Sequence, residues 1–431
     1  MENKNPMPKI YLQHYGCSSN TADAEIMRGL LQESGFQLVE NPRESDVNLV
    51  LTCVVKTPTE VKVSKRLKEL EALGTPLIVA GCMPESMAER VRSLVPQASL
   101  LGPDHVEEVA KVAWGALRGQ RMEALGRAPT DKTCLPRARL NPLVHVAPIS
   151  SGCLGNCAYC IVKLARGSIQ SYPWEGVVED VERAVAEGCR EVWVTAEDTA
   201  AYRAEGVNLA GLLERIAGVP GEFRVRVGMC NPNTLSPILE EFIEALSSPK
   251  IYKFVHIPVQ SGNNQVLKAM NRGYTVEDFK AIVERLREAY PEVGLSTDII
   301  CGFPGETWEM FQDSLRLVEW LRPDVLNISR YWERPGTPAI RLPGKVHGRE
   351  TKRRSRVLTQ LWRRLGVEAG RRWLGWEGEV LVTERSRRGG VVGRNYAYKT
   401  VVLDAEVPLG TFTRVRVVGE PGVGYVRGVP V

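Results

Sequence analysis

The chain has 431 residues, of which 43% are apolar and 25% charged, with a formal net charge of +5. This length and apolar content predict roughly two to four domains around a sizeable core, and they exclude a small disulfide-stapled protein. No stretch approaches the roughly 20 consecutive apolar residues of a membrane span, and the N-terminal sequence MENKNPMPKI lacks the apolar region of a signal peptide. We therefore expect a cytoplasmic protein without membrane contact.

The positive charge is concentrated at the C-terminal end. Residues 341–431 hold 19 Lys and Arg against 8 Asp and Glu, so the first 340 residues are net acidic. Such asymmetry is typical of a polyanion-binding end attached to a neutral or acidic catalytic body. A basic surface that is only solvated is the alternative.

Residues 9–103 alternate apolar runs with amphipathic stretches, which predicts a β-α-β-α order and a parallel sheet. We expect Asn20 or Thr21 to begin the first helix, and Gly35 and Gly74 to end the first two helices.

Three cysteines follow successive strands of this predicted sheet, namely Cys17, Cys53 and Cys82. Because the carboxyl ends of parallel strands meet at one edge, the three sulfurs are expected to lie together and to form a metal site. A role as small apolar residues on buried strands is the alternative.

Residues 120–143 contain frequent Arg, Pro, Gly and Asn and predict a linker. Six strand candidates follow, alternating with helical segments: VHVAPIS, EVWVTAE, FRVRVGM, YKFVHIPV, VGLSTDIICG and DVLNISR. Six such β/α units predict an open or partial barrel.

A second cysteine group comes directly after the first of these strands, as C-x-x-x-C-x-x-C at Cys153, Cys157 and Cys160. Three thiolates so closely spaced can hold three irons of a 4Fe-4S cluster and leave the fourth iron open to a small chelating ligand. Disulfide use is disfavoured because a chain of this length does not need covalent staples. Of the remaining cysteines, Cys230 also lies near the expected mouth of the barrel.

The C-terminal part combines a basic helix with a β-rich segment. Residues 349–373 predict an amphipathic helix with an apolar stripe of Val357, Leu358, Leu361, Trp362 and Leu365. After Gly375, short β-branched runs separated by Gly predict a small all-β barrel of OB-like size.

Taken in this order, the motifs resemble those of the radical S-adenosylmethionine (SAM) methylthiotransferase family over nearly the whole chain. YLQHYGCSSNTADAEIM, TCVVKTPTE and AGCMPES are similar to the N-terminal methylthiotransferase domain, SSGCLGNCAYC to the radical SAM domain, and the last stretch to the RNA-binding TRAM domain. TAEDTAAY, HIPVQSGNNQVLKAMNRGYT and ERPGTPA are most similar to the archaeal and eukaryotic branch.

The resemblance implies an α/β fold with three modules. They are an N-terminal parallel α/β sheet domain in residues 1–130, a partial (β/α)6 radical SAM barrel in 144–370 and an all-β TRAM barrel in 371–431. A linker in residues 131–143 joins the first two modules.

The branch acts on tRNA, adding a methylthio group to C2 of N6-threonylcarbamoyladenosine next to the anticodon. The resemblance implies two 4Fe-4S clusters and SAM as both methyl donor and radical source, with tRNA and an electron donor as partners. Cys153, Cys157 and Cys160 would then hold the radical SAM cluster, and Cys17, Cys53 and Cys82 the auxiliary cluster. The alternatives are a methylthiotransferase for isopentenyladenosine in tRNA or for a ribosomal-protein aspartate, and a noncatalytic iron–sulfur tRNA-binding factor.

Two further residue sets follow from the predicted mouth and the basic tail. SAM contacts are expected from Tyr159, Glu197, Asp198, Arg226, Thr297 and Asp298. For Tyr159 an aromatic packing role is the alternative, for Glu197 and Asp198 a helix cap, and for Arg226 an ion pair with one of those acids. RNA contacts are expected from Arg385, Arg387, Arg388, Arg394, Tyr396, Tyr398 and Lys399, because basic and aromatic side chains suit phosphate contact and base stacking.

Overall fold

The computed structural model describes residues 7–128, 130–387 and 389–431. Within these residues no helix has the length and apolarity needed to cross a membrane.

The N-terminal domain is built on a sheet of six parallel strands in the order β2-β1-β3-β4-β5-β6, here called the N-terminal sheet. Its strands are β1 (Lys9–His14), β2 (Gln37–Val39), β3 (Val47–Thr52), β4 (Leu77–Gly81), β5 (Ser99–Leu101) and β6 (Glu123–Ala124). Its helices are α1 (Ser18–Glu33), α2 (Thr57–Glu71), α3 (Cys82–Ser86), α4 (Ala88–Leu94) and α5 (Val109–Leu117). β3 and β4 are buried along their length, as central parallel strands covered on both faces must be.

Two local details differ from the sequence expectation. Helix α1 begins at Ser18, so Asn20 lies inside it, and the Asn20 amide donates to the carbonyls of Tyr15 and Thr52 instead of capping the helix. The predicted linker contributes β6 to the sheet edge, and its Lys132 is buried against Asp23 of α1. These contacts make the segment part of the packed structure.

The central domain is a partial barrel of six parallel strands, here called the central barrel. Its order is β7-β10-β13-β14-β15-β16, with parallel bridges between β13 and β14 joining two three-stranded halves. The strands are β7 (Val144–Pro148), β8 (Ser150–Ser151), β9 (Gln170–Ser171), β10 (Glu191–Thr195), β11 (Arg203–Ala204), β12 (Val207–Asn208), β13 (Arg224–Val227), β14 (Phe254–His256), β15 (Gly294–Cys301) and β16 (Val325–Arg330). Outside the barrel, β8 pairs with β9 and β11 pairs with β12, both antiparallel. The helices are α6 (Val162–Arg166), α7 (Trp174–Ala186), α8 (Leu209–Gly218), α9 (Pro232–Leu235), α10 (Leu239–Ala245), α11 (Asn264–Ala269), α12 (Val276–Ala289), α13 (Trp308–Leu321) and α14 (Gly348–Arg371).

Helix α14 is the predicted basic helix. Its apolar stripe packs on the core of the central barrel, with Leu358 and Leu365 fully buried, while Arg353, Arg356 and Arg363 face solvent. The amphipathic pattern therefore predicted both the helix and its buried face.

The last domain is a closed five-stranded barrel in the order β17-β18-β19-β21-β20, here called the C-terminal barrel. Its strands are β17 (Glu377–Arg385), β18 (Val391–Arg394), β19 (Thr400–Leu403), β20 (Phe412–Gly422) and β21 (Tyr425–Pro430). It docks on the central barrel at the ends where the parallel strands begin. There the Lys253 amide donates to the carbonyl of Tyr396 at 2.7 Å, and a Cβ on Gly294 would lie 2.4 Å from the carbonyl oxygen of Ala397. Only glycine at position 294 allows this close approach.

Candidate metal centres at the barrel mouth

The first cysteine triplet lies at one edge of the N-terminal sheet. Cys17 directly precedes α1, Cys53 follows β3, and Cys82 follows β4 as the first residue of α3. Because β1, β3 and β4 are neighbours in the sheet, their carboxyl ends bring the three side chains together. Gly16 has φ +131°, and a Cβ there would lie 3.0 Å from the Cβ of Cys53, so the loop carrying Cys17 needs glycine at this position.

Burial governs the chemistry of this triplet. Desolvation raises the pKa of the Cys53 thiol, and it raises the pKa of Cys82 to about 12, while the nearby Arg166 guanidinium partly opposes the shift at both sulfurs. Thiols in such a site stay protonated until a metal replaces the proton, because the thiolate is the ligand.

The second triplet lies in the loop between β8 and α6. A Cβ on Gly155 would lie 3.6 Å from the sulfurs of both Cys153 and Cys157, so these two sulfurs flank the same point of the loop. The backbone N–H of Gly155 donates to the Cys153 sulfur at 3.4 Å. Burial raises the pKa of Cys153 to about 11 and that of Cys160 to about 12.

Arg272 supports the second triplet from across the barrel mouth. Its Nη1 donates to the Cys157 sulfur at 3.0 Å and to the Tyr159 hydroxyl at 3.4 Å, and its Nε donates to the Tyr274 hydroxyl at 2.8 Å. Arg272 therefore holds a cationic group in direct contact with the second triplet. Sequence reasoning did not select Arg272, although it lies in the quoted motif HIPVQSGNNQVLKAMNRGYT.

Arg166 joins the two triplets. It is the last residue of α6, six residues after Cys160, and its Nη2 donates to Asn20 at 2.9 Å and to Asp23 at 2.7 Å, both in α1. Asn20 also accepts a long hydrogen bond from the Cys82 sulfur at 3.9 Å. Arg166 was also missed by the sequence analysis, where its place in KLARG just after the triplet was the available signal.

A second contact closes the same junction. The hydroxyls of Ser18, beside Cys17, and Thr195, at the carboxyl end of β10, lie 2.5 Å apart. The two triplets therefore belong to adjoining walls of one junction between the N-terminal sheet and the central barrel.

The donor atoms of both cysteine triplets are of the kind that iron–sulfur chemistry uses. Among the described residues, no group of three Cys, His, Asp or Glu side chains is arranged to hold one metal ion. The thiolates of a 4Fe-4S cluster bind separate irons and lie further apart than the ligands of one ion. Two all-cysteine sets, with cationic side chains close by to balance thiolate charge, suit that chemistry.

The expected SAM-binding residues divide into two groups. Glu197 and Asp298 face the mouth. Glu197 pairs with Arg166 at 3.3 Å and has a buried Oε2 without a hydrogen-bond partner, and Asp298 accepts from His256 at 3.1 Å and Asn327 at 2.7 Å. Tyr159 packs in a small apolar cluster beside Phe303.

The remaining three expected SAM residues have structural surroundings. Asp198 is buried and accepts hydrogen bonds from Asn231 and Thr234. Thr297 lies on the helix-facing side of β15, where its hydroxyl donates to the Ile257 carbonyl and accepts from the Val259 N–H. Arg226 lies inside the barrel within 6 Å of the ring centroids of Trp193, Phe254 and Tyr398, and it pairs with neither Glu197 nor Asp198. The sequence analysis did not predict where these side chains point, because that depends on which face of a strand each residue occupies.

The expected RNA-binding residues also divide. Arg385 and Arg387 are exposed, whereas Arg388 lies outside the described residues.

The other four expected RNA contacts lie at or near the interface with the central barrel. Tyr398 donates to Glu191 at 3.1 Å and packs on Tyr252, and Arg394 is mostly buried over the Tyr398 ring. Lys399 is buried 3.6 Å from Asp324. Tyr396 pairs with Glu292 and packs on Trp373. These side chains stabilise domain docking, which the sequence did not reveal.

Cys230 takes no part in either triplet. Its buried sulfur lies 3.1 Å from the Thr199 hydroxyl, and burial raises its pKa to about 12.

Comparison with known proteins connects this arrangement to a family. The model of the Radical SAM superfamily matches residues 147–318, and that of the uncharacterized protein family UPF0004 matches residues 9–102. A probable threonylcarbamoyladenosine tRNA methylthiotransferase of Methanothermobacter thermautotrophicus is 41% identical over 412 residues, covering 95% of this chain and 96% of the relative. The chain belongs to the radical SAM methylthiotransferase family.

Other relatives agree with this assignment. The threonylcarbamoyladenosine tRNA methylthiotransferase of Homo sapiens is 35% identical over 437 residues, covering 98% of this chain and 74% of the human protein. Among solved structures, the radical SAM methyltransferase TsrM from Kitasatospora setae has a TM-score of 0.58 at 16% identity, covering 77% of this chain and 76% of that one, which supports the fold alone. Membership of the radical SAM methylthiotransferase family implies SAM and a 4Fe-4S cluster as cofactors, and the closed C-terminal barrel is consistent with a TRAM-like domain.

Proposed function

We propose that this radical SAM methylthiotransferase adds a methylthio group to C2 of N6-threonylcarbamoyladenosine in tRNA, next to the anticodon. It would use two 4Fe-4S clusters, with SAM as both methyl donor and radical source. The names of the relatives support the substrate. The observation that carries the two-cluster proposal is the junction in which α6, leaving the second triplet, contacts α1 of the first triplet through Arg166.

Cys153, Cys157 and Cys160 would hold the radical SAM cluster, and Cys17, Cys53 and Cys82 the auxiliary cluster. When bound, the first cluster supplies the electron that cleaves SAM reductively, and the second holds the sulfur for transfer. A radical is needed because no side-chain acid or base can remove the unactivated hydrogen on C2 of adenine.

The protein's own residues hold charge and exclude water. The Arg272 contact with the Cys157 sulfur stabilises negative charge on one side of the mouth, and Arg166 does the same near Cys82 on the other. The buried, unpartnered Oε2 of Glu197 is the best-placed acceptor for the amino or ribose groups of SAM. Asp298 offers a second acceptor on the lumen side.

The tRNA is expected to contact the exposed arginines of the C-terminal barrel, Arg385 and Arg387, while the modified adenosine enters the mouth. An external electron donor completes the reaction. We assign residues 1–130 to the auxiliary cluster domain, 131–143 to the connection, 144–370 to the radical SAM domain and 371–431 to the RNA-binding domain.

The runner-up functions act on isopentenyladenosine in tRNA or on a ribosomal-protein aspartate, or bind tRNA without catalysis. Anaerobic reconstitution separates the enzyme from the binder. We expect about eight irons per chain, four for each cluster, and dithionite-dependent release of 5′-deoxyadenosine from SAM.

Cysteine variants provide the matched test of two separate clusters. Replacing Cys17, Cys53 and Cys82 by Ala is expected to remove about half of the iron and to retain SAM cleavage. Replacing Cys153, Cys157 and Cys160 by Ala is expected to remove the other half and to abolish cleavage. Loss of all iron in either variant would contradict two independent sites.

A further inference from the structure

A cavity of about 360 Å³ opens at the carboxyl end of β16. Its volume is within the roughly 300–1,000 Å³ that is usual for small-molecule sites. The lining residues on which the inference depends are Thr57, Arg330, Tyr331, Trp332, Lys345 and Gly348. None of them belongs to the SAM or RNA contacts considered above.

The N-terminal domain and the central domain both contribute to the wall of the cavity. On one side Thr57 begins α2, four residues after Cys53. On the other side the ring of Tyr331 packs edge-on against Phe303, with centroids 5.3 Å apart, and Phe303 packs against Tyr159, which precedes Cys160. A substrate that receives sulfur from one centre and loses hydrogen at the other must lie between them.

The cavity wall has one uncompensated positive charge. Lys345 is neutralised by Glu333, at 2.6 Å. The guanidinium of Arg330 lies over the Trp332 ring, 5.0 Å from its centroid, and makes no ion pair with any described residue. A partly exposed arginine without a carboxylate partner, lying over an indole, is suited to bidentate binding of a planar anion.

Two further groups are suited to a polar, anionic ligand. The buried hydroxyl of Tyr331 has no hydrogen-bond partner among the described residues, an unfavourable state that a ligand oxygen or N–H would relieve. Gly348, the first residue of the long helix α14, places the positive end of the helix dipole on the same cavity.

We propose that this cavity binds the threonylcarbamoyl group of the substrate adenosine, with Arg330 pairing with the threonyl carboxylate and Tyr331 hydrogen-bonding to the carbamoyl or hydroxyl oxygen. This inference rests on the proposed function and deepens it, because it makes Arg330 a specificity-determining residue. An isopentenyl group has neither a charge nor a hydrogen-bonding atom, so it would leave Arg330 and Tyr331 unpaired. The methionyl carboxylate of SAM has the same chemistry as the threonyl carboxylate, and the experiment must separate the two.

The test measures equilibrium binding of the reconstituted protein to three synthetic anticodon stem-loops. They differ only at the adenosine next to the anticodon, which is unmodified, threonylcarbamoylated, or threonylcarbamoylated with its carboxylate as a methyl ester. Wild type is expected to bind the acid roughly 10- to 100-fold more tightly than the unmodified loop, the range for hydrogen bonds to a charged group. The ester should lose most of that preference.

Arg330→Leu is expected to bind all three loops alike, with unchanged affinity for the unmodified loop, and Arg330→Lys to retain part of the preference. Arg341→Leu is the matched control, because Arg341 is an exposed arginine on the following segment and does not line the cavity. Iron content and thermal unfolding of each variant verify that it is folded.

The proposal would be overturned if Arg330→Leu kept the wild-type preference, or if the ester bound as tightly as the acid. It would also be overturned if Arg330→Leu weakened SAM binding in equilibrium dialysis, because Arg330 would then belong to the SAM site. Failure of the proposed function is a separate outcome, in which wild type with SAM and dithionite leaves threonylcarbamoyladenosine without a methylthio group.

Discussion

At the scale of single residues, Arg166 connects the two cysteine triplets. Its guanidinium is fully buried, pairs with Asp23 and Glu197, and lies close to Cys53 and Cys82 of the first triplet. A cation in this position stabilises negative charge on a bound cluster, and therefore its reduced form.

We predict that Arg166→Gln makes the midpoint potential of the auxiliary cluster more negative, by an amount on the order of 50 mV. The basis is that a charge interaction across a partly buried site is worth on the order of 1–2 kcal/mol, and about 1.4 kcal/mol corresponds to 59 mV for one electron. An EPR-monitored redox titration would measure it in a background lacking Cys153, Cys157 and Cys160. Arg166→Lys should keep the wild-type potential, and equal shifts in both variants would argue for a structural effect alone.

A second residue-scale prediction concerns His145, which is buried with its Nε2 3.0 Å from Asp180. Burial lowers the pKa of His145 to about 4, below its unfolded value of 6.5. The unfolded chain then binds more protons than the folded one as pH falls, so stability is present above pH 6.5 and is lost toward pH 4. We expect the free energy of unfolding of the apoprotein to fall by about 2 kcal/mol from this group between pH 7 and 5.

Denaturant titrations at several pH values would measure this slope. His145→Gln should flatten it. A His145→Gln variant with the wild-type slope would show that other groups set the acid sensitivity.

How far the sequence predicts the site depends on what each residue contributes. The spacing of Cys153, Cys157 and Cys160 is local, and the first triplet follows strand ends, so both were predictable from pattern. The positions of Arg226 and Thr297 depend on the face of the strand they occupy, and the partners of Arg166 depend on how two domains pack. Neither property is encoded in a local pattern.

At the scale of elements, the turn between β18 and β19 acts as the docking element of the C-terminal barrel. Tyr398 lies in this turn with φ +58°, and its ring contacts Tyr252 and Phe254 at centroid distances of 4.8 and 5.1 Å. The sequence predicted the strands and the barrel, because alternating apolar residues and glycines are local signals. The sequence analysis predicted RNA contacts for this turn, because a tyrosine at a domain interface and a tyrosine that stacks on RNA look the same in the sequence.

We predict that Tyr398→Ala lowers the free energy of unfolding by about 3 kcal/mol, as expected for removal of a buried aromatic ring. Tyr396→Ala, two residues away and partly exposed, is the comparison and should cost clearly less. Tyr398→Phe should leave tRNA affinity unchanged. A large loss of tRNA affinity in Tyr398→Phe, with stability intact, would show that Tyr398 contacts RNA.

At the scale of the whole molecule, the cysteine triplets and the basic C-terminal barrel lie at opposite ends of the central barrel. The cysteine triplets lie at the carboxyl ends of the parallel strands, whereas the basic C-terminal barrel docks at the opposite ends of the central barrel. An RNA held by this barrel must therefore extend along the molecule to reach the mouth, which suits a folded tRNA better than a short peptide. Deleting the C-terminal barrel would expose Tyr252 and Phe254, so surface substitutions are the cleaner test.

We predict that the double substitution of Arg385 and Arg387 by Gln weakens tRNA binding and reduces the magnitude of the slope of log K against log salt by about 1.4–1.8, because each lost phosphate contact removes about 0.7–0.9. Arg285→Gln, at a partly exposed arginine on the central domain, is the control and should keep the slope. An unchanged slope in the double variant would place the phosphate contacts elsewhere.

Nucleoside mass spectrometry of tRNA tests the central claim most directly. The reconstituted protein is incubated anaerobically with SAM, dithionite and tRNA that carries threonylcarbamoyladenosine. The tRNA is then digested to nucleosides, which are separated and identified by mass. We predict a 2-methylthio derivative of threonylcarbamoyladenosine that is absent when either cysteine triplet is replaced by Ala. A methylthio group on isopentenyladenosine instead, or on no adenosine at all, would contradict the account.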